Sequence, residues 1–140
     1  MLLTSGTMTH EELVYLAEFG SGSDLAEGIK STCGFDLNTI IQDDYLKGMT
    51  LLGCAARMGN LDTLDYLICQ GADLNLCDRK LGGEPPFNAA VMRGDLECIK
   101  RLLAAGVNLN CQGWMGLTGI DRLRYFLQCH PNSGLDRWIE

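Results

Sequence analysis

Groups able to do chemistry are scarce in this sequence. Its 140 residues include two histidines, His10 and His130, placed near opposite ends, so a catalytic triad or a histidine-built metal site has almost nothing to draw on. The seven cysteines (Cys33, Cys54, Cys69, Cys77, Cys98, Cys111 and Cys129) are scattered singly, with no C-x-x-C spacing anywhere. An odd, dispersed set argues against a closed disulfide framework and against a zinc clip; reduced, mostly buried side chains are expected. No run approaches the roughly 18 consecutive apolar residues of a membrane-spanning helix. Met1-Leu2-Leu3-Thr4-Ser5-Gly6 has neither the basic end nor the apolar stretch of a signal peptide. The expectation is a soluble, cytoplasmic chain.

Positive charge is short as well. Eleven Lys and Arg face eighteen Asp and Glu, a net charge of −7 that repels phosphate backbones and anionic lipid. Nucleic acid and membrane surfaces are therefore not expected as partners. Residues 1–78 hold 12 acidic and 3 basic side chains (net −9), whereas 79–140 hold 6 and 8 (net +2). A partner with a basic surface would be drawn to the N-terminal half. With 46% apolar and 21% charged residues, the chain has the composition of one folded domain, expected over residues 1–140 and monomeric when free.

What the sequence does have is a repeat. Thr50 through Asn75, written above Pro85 through Asn110, pairs Ala55 with Ala90, Gly59 with Gly94, Leu61 with Leu96, Leu64 with Ile99, Leu67 with Leu102, Gly71 with Gly106 and Asn75 with Asn110, all at an offset of 35. Each unit predicts a short alanine-rich helix, a glycine stop, and a second helix with apolar residues at i, i+3, i+6 and i+7. Small residues at Ala55-Ala56 and Ala90 let successive helices approach, while Leu61, Leu64, Leu67 and Ile68 fill the space between layers. Gly71 and Gly106 fall where the second helix must end in a left-handed residue, before an extended exit.

These residues resemble the ankyrin repeat, whose signature runs G-x-T-P-L-H-x-A-A-x-x-G, then a helix, then L-L-x-x-G-A-D-x-N. Gly48 through Gly59 and Leu67 through Asn75 carry the likeness. Gly116-Leu117-Thr118-Gly119-Ile120 lies 33 residues after the matching part of the second unit, but Leu127 stands where its glycine stop would be. Leu16 through Gly20, Asp24-Leu25 and Gly34 through Asn38 outline a degenerate first unit. The resemblance implies an all-α solenoid of about four stacked helix-turn-helix units with protruding hairpin loops. Its divisions are expected at 1–38 (N-terminal cap), 39–75, 76–110 and 111–140 (C-terminal cap).

Neither clear unit keeps T-P-L-H: the first has Thr50-Leu51-Leu52-Gly53 and the second Pro85-Pro86-Phe87-Asn88. The resemblance implies loss of a threonine–histidine brace of about 1 kcal/mol each, hence modest stability. The loops are enlarged, with twelve residues from Asn38 to Thr50 and ten from Asn75 to Pro85, against eight from Asn110 to Thr118. The first two should bulge outward. After Pro131-Asn132-Ser133-Gly134, Trp138 and Ile139 are expected on a last helix, covering the end of the stack with Tyr125 and Phe126.

Catalytic and cofactor motifs are missing, and the chain is read as a non-enzyme without cofactor. His10-Glu11-Glu12 lacks the second histidine of H-E-x-x-H and reads instead as a helix start, with Thr9 as cap and Glu12 completing a capping box. Gly20-Ser21-Gly22-Ser23 has no Lys-Ser/Thr after it and is a helix connector rather than a phosphate loop. Asp43-Asp44 are expected to be solvated loop acids.

Recognition, by the resemblance, belongs to the concave face of the stack. Its surface positions are Asp43, Asp44, Tyr45, Leu46, Lys47, Arg57 and Met58 in the first unit; Arg79, Lys80, Leu81, Glu84, Met92 and Arg93 in the second; and Trp114, Met115 and Leu117 in the third. Tyr45, Met58, Met92, Trp114 and Met115 are of the types that concentrate interface energy. Trp114 has an alternative place in packing on Leu81 or Phe87. The expected function is to hold one protein partner, blocking or recruiting it. Rival readings are an acidic immunity-type inhibitor of a toxic enzyme, an effector or adaptor acting in a host cell, and, from another class, a metal-dependent or hydrolytic enzyme built on Asp43, Asp44 and His10.

Overall fold

Helices in this chain begin at side chains that catch the free amides of a first turn. The computed structural model describes residues 8–32, 34–42 and 47–138. Helix α1 (His10–Phe19) starts at Thr9, whose hydroxyl accepts from the Glu12 amide at 3.1 Å while Glu12 accepts from the Thr9 amide at 2.9 Å, the expected capping box. Ser21 caps α2 (Gly22–Ser31), Thr50 caps α3 (Leu51–Met58), Asn60 caps α4 (Leu61–Cys69), Asp95 caps α6 (Leu96–Ala105) and Thr118 caps α7 (Gly119–Cys129). Helix α5 (Pro86–Arg93) is the exception: Pro85 has no capping oxygen, and Pro86 instead presets the first helical φ.

The helices stack in two layers. Helices α1, α3, α5 and α7 pack side by side in that order, and α2, α4 and α6 form the layer behind them. Ala55, Ala56, Ala89 and Ala90 are buried where the first layer is tightest, and Leu64, Leu67, Ile99, Leu102 and Leu123 fill the space between layers. Gly71 and Gly106 end their helices left-handed, at φ 84° and 92°. The architecture is the all-helical stack the repeat predicts, with no strand among the described residues.

Polar bonds between units fix the stacking register. At the back edge, Asn38 Oδ1 accepts from the Asp73 amide and Asn75 Oδ1 from the Asn108 amide, both at 2.8 Å. Between the first two units, Thr63 Oγ1 donates to the Ala17 carbonyl at 2.6 Å and Asn60 Nδ2 to the Gly20 carbonyl at 2.9 Å. Asn88, at the histidine position of the resemblance, is buried and donates from Nδ2 to the Leu117 carbonyl at 3.2 Å, so an amide replaces part of the missing brace. The loops also lock together. Ile41 and Met49 face each other through a 2.8 Å bond, and the Asp78 amide donates to the Gly48 carbonyl at 2.8 Å. Gly48, at φ 84°, lies so close to Asp78 and Gly83 that no side chain fits there.

The last unit departs from the expected end cap. With Leu127 in place of a glycine, α7 runs on to Cys129, and a 3-10 turn at Asp136–Trp138 stands where a second helix was expected. At this end Phe126 and Leu135 are buried, and Leu127 packs half-buried against the core. Tyr125 is 69% exposed, because it occupies the register position of Arg57 and Met92, which faces away from the next layer. Trp138 is exposed too, and Ile139 lies outside the described residues.

Candidate partner-binding groove

Two hollows open along the first-helix layer, one beside the loops and one beside the ends of α5 and α7. One, of about 460 Å³, lies between the ends of α5 and α7 and is lined by Val91, Met92, Arg93, Arg122, Phe126 and His130 among others. The second, of about 430 Å³, is lined by Lys47, Met49, Arg57, Glu84, Met92 and Arg93. Met92 and Arg93 belong to both, so the hollows form one trough. Its charged lining is Lys47, Arg57, Arg93 and Arg122 against the single carboxylate Glu84, opposite in sign to the chain as a whole. The acidic side chains Asp24, Glu27, Asp62 and Asp65 belong to α2 and α4, in the layer behind.

Several expected site residues meet here and others do not. Arg57 lines the trough and pairs with Glu18 of α1 at 2.9 Å. Met92 is 52% exposed at the centre. Met58 is half-buried and lines neither hollow. Arg79, Lys80 and Leu81 form a 3-10 turn capped by Asp78, and Arg79 donates to Gln112 Oε1 at 2.9 Å, bracing two loops. Trp114 and Met115 top the third loop at 62% and 74% exposure, with Met115 left-handed at φ 59°. Leu117 is half-buried and contributes its carbonyl to Asn88. Asp43, Asp44, Tyr45 and Leu46 lie outside the described residues.

The Trp114 ring faces the guanidinium of Arg122, 6.0 Å from the centroid. Its amide donates to Glu84, whose other oxygen, Oε1, is buried without a partner. Arg122 escapes the resemblance, which carries over only loop and α5-end positions. A signal existed: the repeat register sets Arg122 against Ala89 and Cys54, small buried residues in the other units.

The other chemically capable groups are occupied structurally. Burial, then the nearby Glu84 carboxylate, pushes the Cys77 thiol up to about 11. Burial and then Asp95 push Cys98 up to about 12. Neither has the lowered pKa of a nucleophile. His10 packs edge-on against Phe35, with ring centroids 5.4 Å apart. Among the described residues no three His, Cys, Asp or Glu side chains cluster as a metal would need, and no helix is long and apolar enough to cross a membrane.

A layered array of short helix pairs with interlocked loops is a helical-repeat architecture. Residues 54–103 match the family model for ankyrin repeats (many copies), and the units on α3–α4 and α5–α6 are ankyrin repeats. Over 60 residues, 43% of this chain, the sequence is 38% identical to the probable E3 ubiquitin-protein ligase XBOS31 of Oryza sativa subsp. japonica. The match takes in 13% of that protein's length. Ankyrin repeats are protein–protein interaction modules.

Proposed function

We propose that this chain seats one protein partner in the trough along its first-helix layer. The observation that carries the reading is the continuity of the trough through Met92 and Arg93, edged by the exposed rings of Trp114 and Tyr125. Methionine, arginine and aromatic side chains in a recess are the composition of an interface centre. A partner bound there is held, blocked or presented. The acids of α2 and α4 give the layer behind a negative field, which draws in a partner carrying a basic surface of its own. Affinity capture from the native source, with wild type and with a Met92→Ala, Trp114→Ala double variant of unchanged melting temperature, tests this. The partner is expected on the wild type and absent from the variant; equal recovery on both overturns the placement.

Similarity to a protein named as a probable E3 ubiquitin-protein ligase supports recruitment over simple blocking as the mode of action. In that reading the captured partner arrives with further machinery. An immunity-type neutraliser instead captures one enzyme alone, at an association rate that falls steeply as salt rises.

A further inference from the structure

One side chain in the trough is left unfinished. Arg122 carries Nε and Nη2 atoms that are buried and have no hydrogen-bond partner among the described residues. These two nitrogens share one edge of the guanidinium, the edge that meets both oxygens of a carboxylate at once. A buried guanidinium edge with no acceptor is unfavourable, and an acid on a neighbouring element is the ordinary remedy. No such acid is in place: the hollow around Arg122 is lined by Val91, Met92, Arg93, Tyr125, Phe126 and His130, with no carboxylate. Glu84, the trough's one acid, lines the other hollow and takes the amide of Trp114. The indole of Trp114, itself mostly exposed, lies over the Arg122 guanidinium.

We propose that Arg122 anchors an acidic peptide segment of the protein partner. A carboxylate side chain accepts from Nε and Nη2 beneath Trp114, and the apolar side chain next to it in the segment fills the space against Val91, Met92 and Phe126. The inference rests on the trough being the interaction surface. Charge complementarity chooses the occupant. Arg122 and Arg93 face this hollow, and Lys47 continues the positive lining toward the first loop, in a chain whose net charge is −7. The hollow of about 460 Å³ admits a few side chains of an extended segment.

The test is selection of a random dodecapeptide library displayed on phage against the full chain. The expected consensus places Asp or Glu beside a large apolar residue. The synthetic consensus peptide is then measured against wild type, Arg122→Gln, Arg122→Lys and Met92→Ala, each checked for an unchanged melting temperature. Arg122→Gln should weaken binding by roughly thirtyfold or more, and Arg122→Lys should restore only part, because an ammonium lacks the two-pronged edge. A peptide with the acid replaced by its amide should lose as much against wild type and nothing further against Arg122→Gln. Binding should also alter the fluorescence of Trp114 in a Trp138→Phe background. Basic consensus peptides, an empty selection, a phosphoserine version that binds more tightly, or equal affinity for wild type and Arg122→Gln each overturn the anchor. Sensitivity to Met92→Ala without sensitivity to Arg122 leaves the trough as the interface while removing the anchor; indifference to both removes the trough.

Discussion

Asn88 and Gly48 show how much single residues carry in a chain that lacks the usual brace of its repeat. Truncating Asn88 to alanine removes one of two donors to the Leu117 carbonyl, which keeps the Gly113 amide at 2.8 Å, and should cost about 1 kcal/mol, read as a lower urea midpoint at unchanged m-value. Gly48→Ala must place a methyl group against Asp78 and Gly83 at a left-handed φ, and should destabilise by about 1–3 kcal/mol while opening the contact between the first two loops. Thiol labelling gives a third check. Cys69 and Cys129 are exposed and should react with an alkylating agent at mildly alkaline pH, whereas buried Cys98, raised to about 12, should react only on unfolding. Because the raised pKa belongs to the folded state, this thiol's contribution to stability is complete below the ordinary thiol range near 9.0 and is lost as pH climbs toward 12. A Cys98→Ala variant should therefore flatten the alkaline limb of the stability profile.

At the scale of the element, caps and stops were legible in the sequence because they are local. Thr9 with Glu12 and the glycines at Gly71 and Gly106 follow from chemistry within a few residues, and the structure places them accordingly; of the expected Gly20–Ser23 connector only Gly20 and Ser21 join the helices, because Ser21 caps α2 and draws Gly22 and Ser23 into its first turn. The end of the stack was not legible in the same way. Leu127 signals that the fourth unit does not stop where the others do, but whether the following residues form a helix or a single turn depends on what α7 leaves open to cover, which is a tertiary matter. Leu127→Gly should end α7 within a residue or two, lowering helical ellipticity and stability by about 1 kcal/mol, and unchanged ellipticity would contradict this account of the cap. Part of the candidate groove was readable from the family pattern, namely Arg57, Met92, Arg93 and Trp114. Arg122 was signalled only by its register against the small buried Ala89 and Cys54, and its meaning lies in the missing acid around it among the described residues.

Across the whole molecule, net charge and local charge point in opposite directions. Composition alone suggests one negative body, yet Lys47, Arg57, Arg93 and Arg122 gather along the trough while acids lie on α1, α2 and α4. That gathering is invisible to any count, because it depends on which residues the fold brings together. The back-edge asparagines have a further consequence. Each unit hands the next a side-chain carbonyl at 2.8 Å, from Asn38 to Asp73 and from Asn75 to Asn108, and Asn110 repeats the donor geometry with no later unit to receive it among the described residues. The scaffold is therefore extensible by whole modules. Duplicating residues 76–110 in place should add one tread to this staircase, detectable as a longer particle by small-angle scattering with a steeper denaturant slope, while the original ends keep their spacing.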